Sequence, residues 1–285
     1  MKESKNEFRI TGILKSKELH EGQTKSGRDA IMGNLSVQVT VGNQVNVHRI
    51  EFFTFKTKKD GSENKIYDSY KTVMDEYKDQ DTYGADADVV SVNGSVEYNV
   101  YSGQYGTNEN MRFRALFANR VAKDAPQVAL ANLDVIIDGF EAEMKNDQPT
   151  GYYKVKGYGV GYNDRGIKFT NLVVDEKLGA HNAVTPGTTI LATVKLNNYE
   201  VVKQQQEDSD SLFGMTKSVV EKKSYTNNME MTGGNMSETQ YTPDDLNKIK
   251  NSVKQQISEA QANTGSFGNA VASSPAPDIS DKLPF

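Results

Sequence analysis

Along Val45-Asn46-Val47-His48-Arg49-Ile50-Glu51-Phe52-Phe53-Thr54-Phe55-Lys56 the side chains sort by parity. His48, Ile50 and Phe52 fall on one side; Val47, Arg49, Glu51, Phe53 and Phe55 fall on the other. Successive side chains of a strand point to opposite faces, so the pattern predicts a strand with one core face and one open face of rings and charge. The same period marks Phe8 to Lys15, Asp29 to Val41, Val89 to Tyr101 and Met111 to Val121 as strands. Glu18 to Arg28 reads as a polar loop and Gly42-Asn43 as a tight turn. Between these strands the period changes. Ile66, Tyr70, Val73 and Tyr77 share one face of a helix spanning 65–78.

Three strands, a helix and two strands give the element order of an OB-fold, a Greek-key barrel whose second and third strands and loops bind oligonucleotides or oligosaccharides. Residues 1–125 are therefore expected to form such a barrel. A second β-rich block is expected over 130–203, opening at Leu133 to Phe140 and continuing through Tyr152 to Tyr158, Ile167 to Val174 and Thr188 to Val202. No helix of core quality separates these strands. The block reads either as a pared-down second OB barrel or as a β-domain that only packs on the first. The expected class is thus all-β with one helix: an OB barrel, a second β-rich domain and a disordered C-terminal tail.

That tail is expected over 204–285. Its Ser, Asn, Gln and Gly leave too little apolar surface to offset ordering entropy. One island has helical period: Thr242 suits an N-cap, Pro243 the first turn, and Leu246, Ile249, Val253 and Ile257 form a narrow stripe. A single stripe of this width predicts a helix that frays in isolation. The chain ends in Leu283-Pro284-Phe285 beside Asp278 and Asp281. A terminal ring and carboxylate of this kind suit capture by a basic, hydrophobic pocket.

Charge changes the picture only when it is located. The net charge is −5, but residues 1–130 carry 18 Lys+Arg and 18 Asp+Glu, whereas residues 206–285 carry 7 and 11. The acidity belongs to the tail, and the front of the chain is free to build a basic groove. There is no Cys, hence no disulfide or thiolate metal site. No leader or membrane-spanning run stands out, which predicts a cytoplasmic protein without a membrane partner. His20, His48 and His181 lack metal-ligand spacing. Glu141 and Glu143 share a strand face without a partner to tune them, and Gly157 to Gly161 has no helix behind it to receive a phosphate. Neither an enzyme, a cofactor nor a metal is expected.

Rings interleaved with cations on a sheet suit base stacking and phosphate neutralisation. Phe53, Phe55, Tyr101 and Tyr105 are the candidate rings, and Arg49, Lys56, Arg112 and Arg114 the candidate cations. Tyr152, Lys154, Lys156 and Tyr158 repeat the pattern as a second candidate DNA patch.

Val47-His48-Arg49-Ile50, the stretch from Val90 through Gly94 to Tyr101, and the Leu-Pro-Phe terminus together resemble the bacterial and phage single-stranded DNA-binding protein family. Those proteins carry a Trp-His-Arg-Val strand, a Val-x-x-x-Gly stretch leading to a stacking Trp, and an acidic tip that recruits replication and repair proteins. The resemblance covers about 7–121 and the last eight residues. It implies base stacking at Phe53 and Tyr101, a basic contact at Arg49, and binding of replication and recombination proteins by Asp278, Asp281, Leu283, Pro284 and Phe285. It departs at Val47 and Tyr101, where the family has Trp, and at Lys282, which interrupts the acidic tip. The divergence points to a phage-encoded member, in a host cytoplasm. A homo-oligomer stays open. So does a β-rich protein- or carbohydrate-binding module, which accounts for the strands but not for the terminus.

Overall fold

The computed structural model describes residues 1–211 and 214–262, and the side chains of these apart from 203–222. Its first half is β1 (Asn6–Gln23), β2 (Asp29–Val41), β3 (Gln44–Phe55), α1 (Lys65–Glu76), α2 (Gln80–Tyr83), β4 (Val89–Gly103) and β5 (Gly106–Val121). These strands close into a ring in the order β1–β2–β3–β5–β4–β1, sealed by a short parallel pairing at Ile50↔Phe113 and Glu51↔Arg114. That is the OB-fold barrel. Within this barrel β1 serves two neighbours, β4 over Glu7–Ile13 and β2 from Ile13 to Gln23, with a bulge between Leu14 and Ser16. Its bend comes within reach of β2 at Gly12, where a Cβ would lie 2.1 Å from the Gln38 carbonyl oxygen. Only glycine fits there.

The loop expected from Glu18 is strand as far as Gln23, and only Thr24 to Arg28 turns. Half-exposed polar residues can hold a strand when the ladder to β2 supplies the hydrogen bonds. α1 plugs one end of the barrel with Ile66, Tyr67, Tyr70 and Val73. Tyr70 is buried against Phe52, with ring centroids 4.7 Å apart, and donates its hydroxyl to the Ala115 carbonyl at 2.7 Å. Asn64 caps the start of the helix, and Lys17 donates to the Met74 and Tyr77 carbonyls at its end.

The second half repeats the plan. β6 (Val128–Lys145), β7 (Gln148–Val160), β8 (Gly166–Phe169), β9 (Leu172–Asp175), α3 (Ala180–Ala183), β10 (Thr189–Ser211) and β11 (Gly214–Met236) follow in order. The ring β6–β7–β9–β11–β10–β6 closes through a parallel β9–β11 pairing, the counterpart of β3–β5. It is a second OB barrel, with the one-turn α3 where the first has α1. The barrels share one sheet because their first strands pair antiparallel, Phe8 against Ala131 and Ile10 against Ala129.

The expected boundary at 203–204 is therefore misplaced. β10 runs through it, and β11 brings Met229 and Met231 into the core at 1% and 4% exposure. A ladder is held by backbone hydrogen bonds, so the Gln- and Ser-rich composition that suggests disorder does not prevent pairing. The island near 250 is also part of the fold. α4 (Pro243–Ala262) buries Ile249 and Val253 and packs on β8, β7 and β4. Gly166 lies directly beneath it, where a Cβ would be 2.4 Å from the Ile249 carbonyl oxygen. Ser252 accepts from the Gly166 amide, Gln256 donates to the Gly166 carbonyl, and Lys250 pairs with Asp138 at 2.6 Å. Burying two β-branched side chains contributes about 1.5–3 kcal/mol each, which an isolated helix forgoes. Docking, not propensity, makes this helix. The terminal residues Asp278, Asp281, Leu283, Pro284 and Phe285 lie outside the described residues. No helix of the described residues is long and apolar enough to cross a membrane.

Candidate nucleic-acid interface

The parity of β3 sets the interface. His48, Ile50 and Phe52 are buried, while Arg49 is exposed and Glu51 and Phe53 are half-buried on the opposite face. That face and the adjoining part of β5 form one wall of a cleft of about 960 Å³. Arg49, Glu51, Phe53, Met111, Arg112 and Phe113 come from the first barrel; Thr170, Asn171, Leu196, Asn197, Asn198, Asn227, Asn228 and Met229 come from the second. The barrels meet at its edge. The Asn198 amide donates to Asn46 Oδ1 at 2.8 Å, its side-chain nitrogen donates to the Val47 carbonyl, and Tyr225 hydroxyl donates to its Oδ1. A second tie joins Lys168 Nζ to Glu109 at 2.8 Å. Burial pushes the Glu109 carboxyl up, but hydrogen bonds from Lys168 and Tyr98 outweigh it and leave the pKa lowered.

Glu51 organises the charges in the cleft. Its two oxygens face Arg112 at 3.3 Å and Arg114 at 3.6 Å. Arg112 keeps 30% of its side chain exposed and Arg49 keeps 68%, with Glu18 3.7 Å away. Both can meet a phosphate. Arg114 differs from the sequence expectation: it is buried, donates to the Phe53 carbonyl at 3.0 Å and sits 5.2 Å from the Phe53 ring centroid. A guanidinium engaged in this way is less free to meet a phosphate than those of Arg49 and Arg112. His48 beneath the same face is held near pKa 4 by burial, so it is neutral.

Phe53 is the open ring of the strand. Phe55 is not a free platform, because the Arg28 guanidinium covers it at 3.7 Å and it packs edge-on against Phe53 at 5.1 Å. Parity breaks there because β3 is ending and Thr54 and Phe55 are both buried. Lys56 is exposed just beyond. Tyr101 and Tyr105 are 49% and 92% exposed on the β4–β5 hairpin, outside the cleft lining. The second patch divides. Tyr152 is half-buried and Lys154 exposed, whereas Lys156 pairs with Glu141 at 3.0 Å and Tyr158 lies under Lys250 of α4, 5.5 Å from its ring. Tyr158 is covered because the helix that sequence reading left undocked rests on it. Among the described residues, no group of three or more His, Asp or Glu side chains is placed to hold a metal.

Sequence reasoning passed over the asparagines and Phe113. Asn197 faces Asn228 and Asn198 faces Asn227 across the β10–β11 ladder, a juxtaposition visible only once β11 is recognised as a strand. Two Asn-Asn dipeptides in the sequence were the available signal.

The YorF family model matches residues 5–263. The chain belongs to the YorF family. No curated protein sequence matches it. Among solved structures, this YorF chain is similar to a deletion variant of the single-stranded DNA binding protein from Thermus aquaticus, with TM-score 0.51, 13% identity, and coverage of 85% of this chain and 99% of that one. The wild-type Thermus aquaticus protein is similar with TM-score 0.50, again at 13% identity, covering 85% of this chain and 97% of that one. The chain therefore shares the fold of these proteins across most of both chains.

Proposed function

We propose that the protein binds single-stranded DNA in the inter-barrel cleft, stacking bases on Phe53 and neutralising phosphates with Arg49 and Arg112. The observation that carries this reading is an open ring flanked by partly exposed guanidiniums on the β2–β3–β5 face, with the second barrel forming the opposite wall. Such a surface grips unstacked bases by their faces and the backbone by charge, with little demand on sequence. The shared fold with single-stranded DNA binding proteins of Thermus aquaticus supports it. Lys56 and the β4–β5 hairpin with Tyr101 and Tyr105 extend the path beyond the cleft, and Tyr152 and Lys154 offer a second contact on the other barrel. In this reading the protein is not an enzyme. It coats and protects single strands during replication, recombination or repair, while the terminal Leu283, Pro284 and Phe285, with Asp278 and Asp281, recruit partner proteins.

Fluorescence anisotropy with labelled oligo-dT at low and moderate salt tests the reading. Affinity should fall as salt rises, because each neutralised phosphate releases counterions, and duplex of the same length should bind more weakly. Equal affinity for duplex and single strand, or no binding at low salt, would overturn it in favour of a protein- or carbohydrate-binding module.

A further inference from the structure

Among the described residues, three buried side-chain atoms of residues that line the cleft have no hydrogen-bonding partner: His48 Nε2, Asn171 Oδ1 and Asn197 Oδ1. Asn197 is only 5% exposed, and its orientation is fixed. Its Nδ2 donates to Asn228 Oδ1 and to Glu230 Oε2, both at 2.9 Å. Flipping the amide would turn its oxygen against two acceptors, so the orphaned atom is the carbonyl oxygen. The two amide oxygens are acceptors that are costly to leave without a donor, and their place among the residues of one cleft points to a ligand that supplies donors.

The chemistry of that ligand can be narrowed. Phosphate and sugar ether oxygens are acceptors and would be repelled. A carbonyl oxygen of Asn calls for a neutral N–H. On a nucleobase the projecting donor is the exocyclic amine of cytosine, adenine or guanine. The two-point pairing of Asn with adenine is ruled out at Asn197, because its Nδ2 is already committed. Uracil and thymine offer only N3–H, flanked by two carbonyls that would lie against the Asn oxygens.

We propose that Asn171 and Asn197 accept from the exocyclic amine of a base lodged in the cleft, giving the protein a preference for amine-bearing bases over uracil and thymine. The inference rests on the single-strand reading above and adds base selectivity to it.

Oligo-dC and oligo-dU of equal length test the effect, since both are single-ring pyrimidines that differ along one edge, where cytosine carries an amine beside an acceptor N3 and uracil a carbonyl beside an N3–H. Measured above neutral pH, where cytosine is unprotonated, oligo-dC should bind the intact protein about tenfold more tightly, the scale of one satisfied buried acceptor. Asn171→Ala should shrink the gap by weakening oligo-dC alone, without lowering Tm, because its Oδ1 has no partner to lose. Asn197→Ala should act in the same direction; if its lost bonds to Asn228 and Glu230 unfold it, Asn171→Ala decides. Equal affinities, a preference for oligo-dU, or a gap unchanged in Asn171→Ala overturns the inference while leaving single-strand binding in place. Binding of neither oligonucleotide overturns both.

Discussion

Arg114 holds Phe53 in two ways: its Nη2 donates to the Phe53 carbonyl at 3.0 Å while its guanidinium lies 5.2 Å from the ring centroid. The residue that reads from sequence as a phosphate contact is instead the support of the residue proposed to stack. Glu51 completes the arrangement by sharing its carboxylate between buried Arg114 and half-exposed Arg112. The three arginines of this face should therefore separate experimentally. Arg114→Met should cost roughly 3 kcal/mol of stability, as expected when one partner of a buried pair is removed. Arg112→Met and Arg49→Met should leave stability nearly unchanged and make the plot of log affinity against log salt shallower by about 0.7 each. A normal melting curve for Arg114→Met would contradict its assignment to the scaffold.

Glu51→Gln should act on binding and stability in opposite senses. Releasing Arg112 should raise single-strand affinity by about 0.5–1 kcal/mol at low salt, the range for a partly exposed ion pair. Leaving Arg114 with a weaker partner should lower the denaturation midpoint. Titration with oligo-dT and urea unfolding check the two halves independently.

Phe53→Ala should weaken oligo-dT binding by about 1–3 kcal/mol, the scale of one lost base–aromatic stack. Phe55→Ala should instead lose stability, since its ring is covered by Arg28 and packed on Phe53. If Phe55→Ala reduced affinity as much as Phe53→Ala without destabilising the fold, the roles drawn from their burial would be reversed.

His48 gives a pH dependence with a definite sign. Burial lowers its pKa from 6.5 to about 4, so between these values the unfolded chain binds the proton and the folded one does not. Stability should be unaffected above pH 6.5, fall as pH drops through 6.5, and level off below about 4, by an amount on the order of 3 kcal/mol. Glu97, whose pKa burial raises above 4.5, works in the opposite sense once the pH rises past 4.5, inside the same window, so the comparison must be internal. His48→Leu should flatten the slope between pH 6.5 and 4, measured by urea unfolding at each pH. An unchanged slope would show that another group controls the acid limb.

Gly166→Ala should dislodge α4. The new methyl would meet the Ile249 carbonyl carried by the helix, at a cost of about 1–3 kcal/mol typical of overpacking. Deleting residues 263–285 should spare both stability and single-strand affinity, because the cut falls after α4. Removal of only Leu283, Pro284 and Phe285 should likewise keep DNA binding while abolishing capture of replication or recombination proteins in a pull-down. Loss of DNA affinity in either truncation would place the tail in the binding site.

The sequence by itself determined the first barrel and the face it opens. Alternation along β3 as far as Phe53 could be satisfied in only one way, with His48, Ile50 and Phe52 inside, because a shift of one residue would bury Arg49 and Glu51. The change of period at Ile66 to Tyr77 likewise announced α1, whose apolar face is wide enough to be legible locally. Tertiary structure decided the rest, for a common physical reason. β11 and α4 draw their stability from partners distant in sequence: Met229 and Met231 from the second core, and Ile249 and Val253 from β7 and β8. Their own composition carries little of that energy, so it reads as disorder. Arg112 and Arg114 have the same parity and chemistry, yet only closure of β5 against β3 buries one and leaves the other partly exposed. The asparagines of the second wall became neighbours only when β10 and β11 paired.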